Sequence, residues 1–518
     1  MTKFSVGVGA VSAASVAAVA VIAATAFMVV SPRNVAGTAT PSAATKLAQQ
    51  ISPVVTNFAS APGATYDGTV SDTKSSVQIK SMKVTNSGVA SGTVSAHGKS
   101  AQYLEINGQV WMQGTPGFWD AVGASGNQPV PDGQWGSVPA GQVVPDIAQV
   151  LSPQQLAFSL SNSRDTTGTG VGQWTSGDSG TTPDARRRVD NDPTGHVLPS
   201  PGPGLVAVDF GGFQSQFDGQ SNQLRQAKGR TWSTSGRPAN VDVKVTVMTK
   251  DQTLQFYSTT RDLTNDIRLA VLPLAQIDVP DPAIVFDPSP CGPYSCNAHI
   301  TLTNTVTGAD SGTVTADLTT TWTVNGATLP PCTNSISMPI NSQTSFDCPA
   351  SYDQPDGGSV DVHVSGQYHV QTETNVEVLV QSIDDGVNLV NNPISGKWEP
   401  AGYKPDNQAN AYNKQITGAP YGYAFIVGGV PFDSVAPDGT LVMSHGPGYS
   451  NHLSPDGSFD PSWAGTQALA DAAKQQVQAA GQTPITWIFA EQAAADAANK
   501  LLAANGIKGI TAQYVAPQ

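Results

Sequence analysis

The sequence predicts a multidomain, β-rich chain with an apolar N-terminal segment and a C-terminal α/β domain. Three observations carry this. Residues Phe4 to Val30 hold no charged side chain. From about residue 65 to 382, short segments of alternating apolar and polar residues recur between Gly, Pro, Asn and Asp, the pattern of half-buried strands and turns. Beyond 396 the apolar period switches between two and 3.6, as strands alternating with helices require. A chain of 518 residues has room for about three or four domains.

Composition narrows the function classes. Charged residues are 12% of the chain, against roughly 25% in an average soluble protein. Lys and Arg number 25 and Asp and Glu 39, a net charge of −14. That balance excludes a generally basic nucleic-acid binder, so any nucleic-acid chemistry must rest on a local site. The 51 glycines and 38 prolines suit a turn-rich β protein with flexible joints.

Residues 1–33 read as a signal anchor or signal peptide. The uncharged run of 27 residues follows Lys3 and is closed by Ser31-Pro32-Arg33. It exceeds a signal core of about 7–15 residues and is long enough to span a bilayer. Lys3 favours a cytoplasmic N-terminus. The expected location is the cell membrane with the bulk of the chain outside, the membrane being met through this helix. Ala24-Thr25-Ala26 offers a cleavage site and hence a secreted product; a buried soluble helix is the remaining reading.

Residues 43–162 predict an α+β module. Leu47, Ile51, Val54, Val55 and Phe58 fall at helical spacing, with Pro53 predicting a kink or restart inside the run. Tyr103–Ile106, Asn107-Gly108 and Gln109–Met112 form a hairpin signal, because Asn-Gly fits a type I′ turn. Trp111, Phe118, Trp119 and Trp135 predict a core, with an apolar ligand cleft as the sharper alternative. Helix then meander, with Asn107-Gly-Gln-Val-Trp-Met-Gln-Gly-Thr-Pro-Gly-Phe-Trp119, is similar to actinobacterial envelope lipoproteins of the lipid-carrying type. This chain departs from them in having no cysteine before Cys291.

Residues 163–204 read as a linker. They contain Arg186-Arg187-Arg188, a solvated charge run or a contact for a protease or an anionic surface. Residues 205–280 predict a second β-rich module, in which Val241, Val243, Val245 and Val247 alternate with polar residues. Residues 281–382 predict an immunoglobulin-like β-sandwich from strands at His299–Asn304, Gly312–Ala316, Thr319–Val324, Val360–Val364 and Val376–Val380. Cys291, Cys296, Cys332 and Cys348 all lie in this stretch. In an exported chain they predict two disulfides, with Cys291–Cys296 and Cys332–Cys348 as the local pairing among three connectivities. Zinc fits their spacing poorly. His363 and His369 read as surface or satisfied residues.

Residues 396–518 predict an α/β domain: strands at Tyr421–Val430, Thr440–Ser444, Pro484–Phe489 and Gly509–Val515, and helices at Ala464–Ala480 and Glu491–Asn505 with Gly481 and Gly506 as stops. The stretch resembles the restriction-endonuclease-fold toxin domains of bacterial polymorphic toxins. The matching residues are Ala411-Tyr-Asn-Lys-Gln-Ile-Thr-Gly418, Phe432-Asp433, Gly446-Pro-Gly-Tyr449, Trp487–Glu491 and Gly509-Ile510. The resemblance implies metal-dependent phosphodiester hydrolysis with Mg²⁺, a nucleic-acid substrate, an immunity protein as partner and no small-molecule cofactor. It puts Asp433 on the metal and His445 where the family has its basic Lys. The family's motif is Asp followed by Glu-x-Lys; here Met443 stands at the Glu position and His445 at the Lys position. A thioether does not serve a hard cation. Asp438, Asp456 and Asp460 are candidate substitutes for the missing carboxylate, and Glu491 reads as a helix-start residue. The domain carries six lysines, no arginine and nine acids, a poor surface for phosphate. Two functions follow: an exported toxin-like effector with a nuclease warhead, or a non-enzymatic envelope protein that binds through a degenerate nuclease fold.

Overall fold

A computed structural model describes residues 43–518 apart from 125–128, 162–194, 211, 232–237, 310–311, 354–358, 401–406 and 420–422. The expectations for 1–33, for most of the 163–204 linker and for Arg186–Arg188 lie outside the described residues. No described helix is long and apolar enough to cross a membrane. The chain forms two compact units, one of residues 53–395 and 435–440, the other of 396–434 and 441–518 together with the described residues before 53.

In the larger unit, Asn107 and Gly108 both take positive φ, 54° and 73°, and close the hairpin between strands Lys99–Ile106 and Gln109–Gly114. This hairpin sits in an antiparallel meander. Its strands lie side by side in chain order, from Gly63–Ser71 through Ser76–Thr85 and Ala90–Ala96 to Trp135–Pro139. The other edge of Gly63–Ser71 pairs with Asn240–Val247, so backbone pairing crosses the divide that the sequence places between 43–162 and 205–280. The reason is continuity of an apolar face. Val245 lies opposite Tyr66 and Val241 opposite Val70, and all four are buried. Two glycines permit close approaches. A Cβ on Gly68 would lie 2.1 Å from the Asp242 carbonyl oxygen, and one on Gly136 2.4 Å from the Trp119 ring.

The Ala43–Ala59 helix runs through Pro53 without a restart. Burial of Leu47, Ile51, Val54, Val55 and Phe58 outweighs the one hydrogen bond that proline removes. Trp111 and Trp135 join Leu104, Phe256 and Tyr257 in one apolar cluster, and Phe118 meets Trp119 edge to face at 5.9 Å. The sheet continues beyond the hairpins. Gly195–Leu198, at the end of the expected linker, pairs with Leu205–Phe210.

Val376–Val380, expected as a strand, is the start of a helix, Val376–Asn391. Asn375 caps it by accepting from the Val378 N–H at 3.3 Å. Leu379, Ile383 and Gly386 then repeat at helical spacing and are buried. The alternation Val-Glu-Val-Leu-Val was too short to separate the two periods. This helix lies against Lys250–Leu263, joined by the two-pronged Arg261–Asp384 pair at 2.8 and 3.2 Å.

Residues 283–373 place two groups of strands face to face. Ala283–Asp287, Ser295–Thr303 and Gln343–Ser351 form one sheet. Thr313–Val324 pairs with Cys332–Pro339 and Val360–Glu373 on the other. Ile300 and Cys348 from the first pack with Trp322 and Val362 from the second. Cys291 and Cys296 are disulfide-bonded, whereas Cys332 and Cys348 are thiols. The structure therefore holds one of the two expected disulfides.

In the smaller unit, Gly396–Pro400, Tyr423–Val427 and Val430–Phe432 are antiparallel neighbours. Leu441–His445, Ile485–Phe489 and Ile510–Tyr514 run parallel, side by side. Parallel neighbours need crossovers, which the helices Ala464–Ala480 and Gln492–Ala504 supply. Gly481 and Gly506 follow them at positive φ, where a Cβ is disfavoured. The outer side of Ile510–Tyr514 is protected by Asn499, whose amide donates to the Ala512 carbonyl at 2.9 Å and accepts from its N–H at 3.0 Å. A side chain thus occupies the place a foreign strand would take.

Candidate functional site

The site expected from the sequence is built at the end of Val430–Phe432 and along Leu441–His445. Asp433 follows directly on the first strand, and its N–H donates to the Val442 carbonyl at 2.9 Å. This sets its carboxylate beside Ser444. Oδ2 accepts from the Ser444 N–H at 2.7 Å and from its hydroxyl at 2.9 Å. The Ser444 hydroxyl also lies 3.1 Å from Asn413 Oδ1, on the Asn407–Thr417 helix. Thr417 donates back to the Asn413 carbonyl at 2.8 Å.

Alternation along a strand sends Ser444 to one face and Met443 and His445 to the other. In register with the next strand, Met443 faces Trp487 and His445 faces Phe489. The imidazole stacks on Phe489, with centroids 4.4 Å apart and planes 11° from parallel, and meets Trp487 at 5.0 Å. Its Nδ1 lies 3.3 Å from the Tyr449 hydroxyl. Trp487 is itself fixed by an indole N–H bond to Gln476 at 2.7 Å. His445 is 8% exposed. Asp433, just past one strand, and His445, at the end of another, thus have different settings, one joined to a Ser–Asn polar cluster and the other packed among aromatic rings.

The Gly446–Tyr449 loop leaves this strand end. A Cβ on Gly446 would lie 2.9 Å from the Ala409 Cα, so only glycine lets the loop pass the Asn407–Thr417 helix. The loop is held from the far side by Glu491, which accepts from the Ser450 N–H at 2.8 Å and from its hydroxyl at 2.5 Å. Glu491 stands at the helix start as expected, yet makes no capping bond with its side chain. Its partner is the loop, 41 residues back in sequence, a long-range contact that no local signal announces. Ser444 and Asn413 were missed for the same reason, although Asn413 sits inside a matching segment and Ser444 between Met443 and His445.

The three substitute carboxylates are engaged locally. Asp438 accepts from the Thr440 N–H at 2.9 Å. Asp456 and Asp460 each accept from the N–H and hydroxyl of the serine two residues on, and these bonds hold both carboxyls below their ordinary value. They are turn-forming residues. Among the described residues no group of three acidic, His or Cys side chains gathers as a metal site. The residues present do not fit Mg²⁺. A hard octahedral cation wants several oxygens, while the place where the resemblance expects a second carboxylate holds the Met443 thioether, and Asp433 Oδ2 accepts from Ser444.

No family model matches the chain, and no curated protein matches it.

Proposed function

We propose that the chain is an exported, membrane-tethered envelope protein that binds through a nuclease-type C-terminal domain and does not cut. The observation that carries this reading is the substituted motif in its setting: Met443 where a metal-binding Glu belongs, and His445 stacked on Phe489 at 4.4 Å. Both changes turn a charged, hydrated centre into a packed one. The low Lys content and lack of Arg beyond residue 396 support a partner other than bare nucleic acid. The antiparallel strands leading into a parallel set support a restriction-endonuclease-like ancestry. The two facing sheets of 283–373, with Trp322 buried between them, support an immunoglobulin-like sandwich that spaces or presents this domain.

A second reading, a toxin-like nuclease, is favoured by the position of Asp433, whose N–H bonds the Val442 carbonyl on the strand that ends in His445. The two separate in one assay. The full chain is incubated with plasmid DNA and with RNA, in Mg²⁺ or Mn²⁺. The binding reading expects no cleavage. Cleavage by the wild-type chain that Asp433→Ala abolishes overturns it in favour of the nuclease.

A further inference from the structure

All four cysteines meet in one apolar cluster between the facing sheets of 283–373. Two are already joined to each other, Cys291 to Cys296. The other two approach from opposite sheets. Cys332 begins the strand that pairs with Thr313–Val324, where it lies opposite Thr320. Two residues along that neighbouring strand, on the same face, stands Trp322. Its indole Nε1 lies 3.3 Å from the Cys348 sulfur. Cys348 belongs to Gln343–Ser351 on the other sheet. The Asn334 amide lies 3.4 Å from the Cys332 sulfur and fixes that side of the pair.

The geometry points to Cys332 and Cys348 as a reversible dithiol–disulfide pair that clamps one sheet to the other. The existing Cys291–Cys296 bond leaves this as the single remaining intrachain connectivity. The pair is asymmetric. Cys348 is fully buried and Cys332 half-buried. Burial, with the Cys332 sulfur alongside, pushes the Cys348 thiol up to about 11. Thiolate is the reacting form, so Cys332 is the entry point and Cys348 the resolving thiol.

With a small-molecule disulfide as oxidant, the Cys332 thiolate attacks one of its sulfurs and releases the other as a thiolate. The Cys348 thiol then loses its proton and attacks Cys332 Sγ in the mixed disulfide, releasing the second small thiol. The small disulfide is reduced to two thiols and the two cysteines are oxidised to one cystine.

The test uses the full chain in glutathione buffers of graded redox ratio, quenched with a maleimide and mapped by peptide mass. In oxidised glutathione the expected product is a Cys332–Cys348 linked peptide, lighter by two hydrogens and closed to maleimide, that reopens in reduced glutathione. Cys348→Ser removes the resolving thiol and is expected to trap glutathione on Cys332; Cys332→Ser is expected to carry little adduct. Linkage of Cys332 or Cys348 to Cys291 or Cys296 overturns the inference. So does a wild-type chain whose two thiols both stay open to maleimide after unfolding in oxidised glutathione. Adduct found first on Cys348 overturns the assigned order. The wild-type map decides the linkage even where a serine variant fails to fold.

Discussion

Glu105 and Asp433 are both carboxylates withdrawn from water, 1% and 9% exposed, one in each compact unit, and they are held in different ways. Glu105 sits in the interior of a strand buried on both sides. It accepts from the Tyr103 hydroxyl at 2.5 Å and the Ala148 N–H at 2.8 Å, but it also faces the carboxylate of Asp146. Burial is the largest influence and Asp146 adds to it; the two donors pull the other way and lose. The Glu105 carboxyl is pushed well above its ordinary 4.5. Asp433 sits at a strand end and receives an N–H and an O–H from one serine. The motif directs attention to the second acid, while the first, with no motif, carries the raised carboxyl.

The largest expected effect breaks the Glu105 side of this contrast. Glu105→Ala leaves the Ala148 N–H and the Tyr103 hydroxyl without their acceptor and opens a void, which should cost about 3 kcal/mol. Glu105→Gln keeps the shape and one acceptor and should cost under about 1.5 kcal/mol. Urea unfolding followed by hydrogen exchange at the amides of residues 99–106 and 147–151 resolves the two. Equal losses in both variants would mean that the carboxyl group itself, and not its shape, holds the helix to the strand.

Next comes pH. Folding raises the proton affinity of Glu105, so the folded state holds its proton where the unfolded chain has released it. Its stabilising contribution is fully present below the ordinary glutamate range near 4.5 and is lost as pH rises through the folded value. The larger unit should therefore weaken from mildly acidic pH upward, and Glu105→Gln should flatten that slope. A wild-type stability that rises over the same interval in this unit alone would contradict the assignment.

Asp433 should respond less. Asp433→Ala leaves the buried Ser444 N–H without this acceptor, for about 1–3 kcal/mol, while its hydroxyl can turn to Asn413. Asp433→Asn should cost less again, since the amide oxygen still accepts. Faster hydrogen exchange at Ser444, with exchange in the 99–106 strand unchanged, is the expected signature. The comparison sharpens if no metal-dependent change in exchange accompanies either variant.

How much of this was legible depended on the range of the interaction. The Asn107-Gly108 hairpin, the Gly481 and Gly506 helix stops and the extents of the strands Leu441–His445, Ile485–Phe489 and Ile510–Tyr514 are local, and the sequence predicts each within a few residues. The pairing of Gly63–Ser71 with Asn240–Val247 is set by a match of two apolar faces more than 160 residues apart, and no period in either strand names its partner. Glu105 escaped because Tyr103-Leu-Glu-Ile reads as a half-wet strand, and only the covering of both sheet faces makes its charge costly. The motif singles out Asp433, but its partner Ser444 lies between the two following motif positions and carries no weight in the pattern.

The smallest expected effect concerns Glu491, which separates a loop anchor from a helix-dipole residue. Glu491→Gln keeps one acceptor and removes the charge. If the carboxylate acts by holding Ser450, both Glu491→Gln and Ser450→Ala should loosen the 446–452 segment by about 0.5–1.5 kcal/mol. Combining the two changes should then cost less than their sum, because both weaken the same Ser450–Glu491 contact. If Glu491 acts through the helix dipole, Ser450→Ala should leave the Gln492–Ala504 helix untouched and the two effects should add. Hydrogen exchange at the Ser450 amide reads the first case directly, since that N–H is the donor to Glu491. Non-additivity there, with Trp487 and Phe489 still packed on His445, would fix Glu491 as the anchor of the 446–452 loop.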